Sequence, residues 1–197
     1  LVGSEMCIRD SPSCVVIVAT VRALKMHGGL EKDNLKKENI PALKKGLVNL
    51  ERHISNIKKF GLEPVVAINH FVLDTNNEIK EIKKFCDNIG VQVSVSSHWA
   101  NGGKGATDLA KKVIKICKNS NKNNFKYLYT EKLSPWKKIE KIAKEIYRAK
   151  TVTAPTEVKN DLRKFELNGY GNLPVCIAKT QYSLSLIHIS EPTRQAS

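Results

Sequence analysis

Apolar runs of strand length alternate along this chain with stretches in which apolar residues return every three or four positions. The runs predict strands at Cys14–Thr20, Pro64–Asn69, Val91–Ser96, Phe125–Tyr129 and Leu173–Ala178. Between the first two strands, Leu43, Leu47, Leu50, Ile54 and Ile57 form one apolar stripe at helical spacing. A second helix carries Ile79, Ile82, Phe85 and Ile89 on one side. A third runs from about Thr107 with Leu109, Val113 and Ile116 or Cys117 inward. Ser134 and Pro135 mark a helix start, a serine cap followed by proline at the first helical position. The helix that follows is expected to bury Ile139, Ile142, Ile146 and Tyr147. A last helix from about Pro155 groups Val158, Leu162 and Phe165 before Gly169 ends it. Strands alternating with amphipathic helices predict an α/β fold, a mostly parallel sheet flanked by helices.

The two ends break this pattern. Neither VGSEMCIRDS at 2–11 nor LSLIHISEPTR at 184–194 has a strand or helix period. A DNA string that encodes IHISEPTR encodes VGSEMC on its complementary strand in another frame, so one DNA sequence explains both ends. Residues 1–11 and 184–197 are therefore expected to be translated sequencing adapter and to lie outside any fold reasoning. The natural sequence is then expected to occupy residues 12–183, an interior piece of a longer domain. The polar stretch Lys118–Asn124 reads as an exposed loop and a candidate sub-domain boundary.

Composition narrows the class. With 41% hydrophobic residues the chain has enough apolar side chains for a core. No apolar stretch reaches the roughly 18 residues of a membrane span, so no membrane partner is expected. Cys14, Cys86, Cys117 and Cys176 are widely spaced without a C-x-x-C pair. They read as reduced core thiols of a cytosol-like compartment. The net charge of +14 raises nucleic acid as a partner, and a basic non-catalytic nucleic-acid-binding domain is the rival reading. Against it, lysines occupy nearly every polar helix face, as at Lys44, Lys45, Lys58, Lys59, Lys83, Lys84, Lys111, Lys112, Lys137 and Lys138, and no RNA-binding aromatic motif or zinc-finger spacing is present. No nucleic acid is expected. The histidines show no metal-ligand spacing, so no metal site is expected either.

Open parallel sheets bind ligands beyond the carboxyl ends of their strands. The first strand runs into Arg22, Lys25, His27, Gly28 and Gly29, which suit either an anion site or a solvated turn. The second ends at Asn69-His70-Phe71, with Asp74 and Thr75 close behind; the third ends at Ser96-Ser97-His98-Trp99. Phe71 alone reads as ordinary core. Parallel strands bring both ends to one edge, where Phe71 and Trp99 form a flat clamp for a planar heterocycle, and Asn69, His70, Ser97 and His98 face its polar rim. The turn Gly102–Gly105 is not a Walker loop, because G-x-x-x-x-G-K-[ST] is absent. It is either an anion-binding helix entry or a tight turn.

At these strand ends the chain resembles the formate-tetrahydrofolate ligase family, both the free-standing enzyme and the ligase part of the trifunctional folate protein. The resembling stretches are VATVRALKMHGG at 18–29, NLERHI at 49–54, PVVAINHF at 64–71 with Asp74 and Thr75, HWANGGKGA at 98–106, KIAKEIY at 141–147 and GYGNLPVCIAKTQYS at 169–183, in family order. Arg148-Ala149-Lys150 and Ile177 depart from the family's usual residues and touch no part of the clamp. The resemblance implies P-loop NTPase or Rossmann-like layers, of which this chain would be an incomplete domain. It also implies a cytoplasmic or organellar ligase that uses ATP with Mg²⁺, and a monovalent cation, to activate formate as formyl phosphate and pass the formyl group to N10 of tetrahydrofolate. The full enzyme would be a homo-oligomer. By motif match Phe71 and Trp99 hold the folate ring with Val95 lining the pocket, while Arg22, Lys25, Asn69 and His98 are candidate polar or anion contacts. The catalytic residues and the phosphate loop are expected upstream, leaving this piece the folate side of the site and inactive alone.

Overall fold

The computed structural model describes residues 12–119 and 125–177, which fall into two compact units, 13–119 and 125–177. Both proposed adapter ends, the loop core at 120–124, Ala178 and the stretch 179–183 lie outside the described residues.

The first unit is a parallel three-stranded sheet, β1 Val15–Ala19, β2 Pro64–Asn69 and β3 Gln92–Ser96, in the order β1-β2-β3. The helices, in chain order, are α1 Val21–His27, α2 Ile40–Lys59, α3 Asn76–Asn88, α4 His98–Asn101 and α5 Thr107–Asn119. The central strand is continuously apolar and buried from Pro64 to Ile68 because both its faces are covered. Among the described residues β1 pairs on one side, with β2, and its burial alternates: Ile17 and Ala19 face the core while Val18 is 66% exposed. The apolar stripe of α2 (Leu43, Leu47, Leu50, Ile54) meets Ile79, Ile82 and Cys86 of α3 over Val66 and Ile68, so both crossover helices cover one face. Helix α5 lies on the other, where Ser94 Oγ donates to Asp108 Oδ2 at 2.6 Å and Lys112 Nζ donates to the Val93 carbonyl at 2.9 Å.

The helix starts follow from their caps. Asn39 accepts from Ala42 N at 2.8 Å, and Thr75 and Glu78 form a reciprocal capping box. The segment after β1, read as either an anion site or a solvated turn, forms helix α1, capped by Thr20 Oγ1 accepting from Ala23 N at 3.1 Å. It crosses α2 at close range: a Cβ on Gly46 would stand 1.8 Å from the Leu24 carbonyl oxygen, and one on Gly28 1.8 Å from that of Ala42.

The second unit holds α6 Pro135–Glu145 and α7 Thr156–Phe165. Ser134 caps α6 with Pro135 at its first position, as the sequence indicates. Two expected strands are not formed: 125–129 and 173–177 carry no ladder. The carbonyls of Gly171 and Leu173 accept instead from Lys138 Nζ, at 2.7 and 2.9 Å, and Tyr129 Oη accepts from Val175 N at 3.0 Å. Lys138 is thus 0% exposed, against the expectation of a solvated lysine face. Ile139, Ile142, Ile146 and Tyr147 are half-buried, and Val158 and Phe165 on α7 are exposed. Among the described cysteines Cys86 is fully buried and Cys14 half-buried, while Cys117 and Cys176 are exposed, so the expectation of four core thiols fails for these two.

Candidate functional site

The carboxyl ends of β2 and β3 meet in register, with Asn69 opposite Ser96. His70 N donates to the Ser96 carbonyl at 3.0 Å and carries the pairing one residue beyond the strands. The chain then turns sharply. Asp74 Oδ2 accepts from Phe71 N at 2.8 Å and Asp74 N donates to the Phe71 carbonyl at 2.9 Å, which pins the backbone of Phe71 and leaves its ring half-buried at the edge.

From the neighbouring strand, Trp99 Nε1 donates to the His70 carbonyl at 2.9 Å, while the residue as a whole stays 56% exposed. One bond thus ties the indole to the backbone next to Phe71. The glycine turn behind it is spent on backbone geometry. Gly102 has φ 54°, and a Cβ on Gly105 would lie 2.6 Å from the Ser97 carbonyl carbon, where Ser97 N donates to the Gly105 carbonyl at 3.1 Å. Asn101 Nδ2 donates to Ser97 Oγ at 3.0 Å and holds α4 to the strand end.

Arg22 reaches the same place from α1, its guanidinium carbon 5.4 Å from the centroid of the Phe71 ring. Lys25, expected beside it, turns the other way. Its ammonium is 1% exposed and donates to Glu78 Oε1 at 2.8 Å and to the Lys37 carbonyl at 2.8 Å. Burial pushes the Glu78 carboxyl up, but hydrogen bonds from Lys25, Thr75 and Asn39, with the charge of Lys25, outweigh it and hold it below the usual range. A charge committed in this way does not support an anion contact for Lys25. Val95 packs against the core cluster on the face opposite Ser94 and Ser96. His98 is exposed at the first position of α4. His27, read with the glycines as a loop, is a tie between helices: its Nδ1 lies 2.7 Å from Asn49 Nδ2, and burial lowers its pKa.

The structure therefore gathers Arg22, Asn69, Phe71 and Trp99 at one edge of the sheet and sends Lys25 into the interior. Three groups escaped the sequence reading: Asp74 as the pin of Phe71, Glu78 as the partner of Lys25, and Ser96 opposite Asn69. Only Glu78 had a legible signal, the Thr75-x-x-Glu78 spacing of a capping box.

A parallel sheet flanked by helices, with aromatic and polar side chains at its carboxyl edge, defines a protein of the open-sheet α/β class. The formate-tetrahydrofolate ligase family matches over residues 6–192, and the chain belongs to that family. It is 60% identical over 174 residues to a formate-tetrahydrofolate ligase of Pelagibacter ubique (strain HTCC1062), covering 88% of this chain and 31% of that protein. The ligase of the same name from Staphylococcus aureus (strain Newman) is 51% identical over the same coverage. The chain thus spans 31% of the length of these relatives.

Proposed function

We propose that this chain supplies the tetrahydrofolate side of the active site of an ATP-dependent formate-tetrahydrofolate ligase. In the whole reaction a formate oxygen attacks the terminal phosphorus of ATP and releases ADP. N10 of tetrahydrofolate then attacks the formyl carbon and phosphate leaves. Phosphorylation is what turns the carboxylate oxygen into a leaving group. The observation that supports the folate reading is the bond from Trp99 to the His70 carbonyl, which ties the indole of a half-exposed residue to the backbone next to the pinned Phe71. Family membership names the heterocycle. Arg22 adds a cation on the Phe71 ring, whereas Val95 faces the core cluster.

The 197 residues contain no G-x-x-x-x-G-K-[ST], and among the described residues no cluster of three or more acidic, histidine or cysteine side chains could hold a metal. Binding of ATP, Mg²⁺ and a monovalent cation is therefore assigned to other parts of the full enzyme, and the chain alone is proposed to be inactive. No described helix is long and apolar enough to cross a membrane. A cytoplasmic, homo-oligomeric enzyme fits the family reading.

The test is tetrahydrofolate binding to this chain by calorimetry. Trp99→Ala removes one stacking face and is expected to weaken binding by about 1 to 3 kcal/mol. Unchanged affinity would overturn the clamp, and formate-dependent ADP release by the chain alone would overturn its inactivity.

A further inference from the structure

Of the polar side chains at the edge of the sheet, Asn69 is already a candidate contact at the rim of the clamp and Ser96 has no role so far. Asn69 Oδ1 and Ser96 Oγ are buried, and neither meets a hydrogen-bond partner among the described residues. Asn69 and Ser96 end β2 and β3 as register partners, so their side chains leave the sheet on one face. Ser94 lies on that face too, two residues earlier, and its hydroxyl is satisfied by Asp108. Ser96, one step nearer the edge and 2% exposed, has no such partner.

A buried hydroxyl or amide oxygen without a partner is costly, and natural folds keep few of them. The surroundings supply a reason to keep these two. Phe71 follows Asn69 by two residues and Trp99 follows Ser96 by three. The Trp99 indole bonds to the carbonyl of His70, the residue between Asn69 and Phe71. The polar pair thus ends the two strands immediately before the segments that carry the two aromatics.

We propose that Asn69 and Ser96 read the polar edge of an amino-substituted nitrogen heterocycle held by Phe71 and Trp99. The Asn69 amide oxygen accepts from a ring N–H or amino group, and the Ser96 hydroxyl donates or accepts beside it. The inference rests on the folate reading above and assigns the pair to the 2-amino-4-oxo edge of the pteridine ring. Adenine presents similar chemistry to an asparagine, so the experiment separates the two sources.

Ser96→Ala, Asn69→Ala and Phe71→Ala variants of the whole chain are titrated with tetrahydrofolate and, separately, with ATP, and their ligand-free melting midpoints are measured. Ser96→Ala and Asn69→Ala are each expected to weaken tetrahydrofolate binding about three- to tenfold and to leave any ATP affinity unchanged. The ligand-free midpoint of Ser96→Ala should stay level or rise, since the hydroxyl removed has no partner. A purely structural serine would lower the midpoint and leave affinity untouched, which would overturn the proposal. Tetrahydrofolate affinity lost in Phe71→Ala but kept in both polar variants would overturn the edge reading and spare the clamp. A loss confined to ATP would transfer the pair to adenine and overturn the folate assignment. No tetrahydrofolate binding by the unsubstituted chain would overturn the folate reading and this inference together.

Discussion

Lys25→Met isolates the largest electrostatic commitment in the first unit. The substitution keeps an unbranched side chain one heavy atom shorter and removes its charge, leaving Glu78, 0% exposed, without its cation. At 2.8 Å the Coulomb attraction of the pair is about 6 kcal/mol for an effective dielectric of about 20, much of it offset in the native protein by desolvation of both ions. The carboxylate keeps the backbone donors of Asn39, at 3.1 Å, and Thr75, at 3.1 Å, so it is not stripped of hydrogen bonds. The expected cost is therefore about 3 to 5 kcal/mol, a large share of a typical domain's stability of about 5 to 15 kcal/mol. Urea unfolding followed by circular dichroism at pH 7 measures it, with the slope checked for a change of denatured state.

The pH dependence adds a sign. In the unsubstituted chain the Glu78 pKa is depressed, so its contribution is present above the unfolded carboxyl value of about 4.3 and is lost as pH falls through the folded value. In Lys25→Met burial acts without the lysine and raises that pKa. Protonation then relieves the buried charge, and the deficit should shrink between pH 7 and pH 4. A cost below about 1 kcal/mol at pH 7, or a deficit that grows on acidification, would refute the reasoning.

Gly46→Ala should destabilise the first unit by about 1 to 3 kcal/mol despite alanine's better helix propensity, because its Cβ would meet the Leu24 carbonyl at 1.8 Å and force α1 off α2; an unchanged melting midpoint would contradict that contact. Cys86, whose thiol burial pushes up to about 11, should resist a thiol reagent at pH 8 until the chain unfolds, whereas exposed Cys117 and Cys176 should react at once; peptide mass mapping distinguishes them, and early labelling of Cys86 would count against its burial.

Local pattern determined much of this protein. The apolar run Pro64–Ile68 dictated a central strand, the Leu43 to Ile54 stripe dictated the crossover helix, and Ser134-Pro135 dictated a helix start, because period and cap chemistry act over a few residues. The resembling stretches likewise pointed to Phe71 and Trp99. Tertiary structure decided what depends on partners distant in sequence. Lys25 and Lys138 look like solvated lysines by composition, yet one is bound to Glu78, fifty-three positions away, and the other to the carbonyls of Gly171 and Leu173. The second of these carbonyls lies in the apolar run at 173–177, where the buried ammonium takes one acceptor that a ladder would use. Ser96 reads as one more serine until register sets it opposite Asn69. Strand pairing joins residues whose separation in the chain gives no warning of contact, and it is pairing that brings two unsatisfied polar residues opposite one another at the carboxyl edge of the sheet.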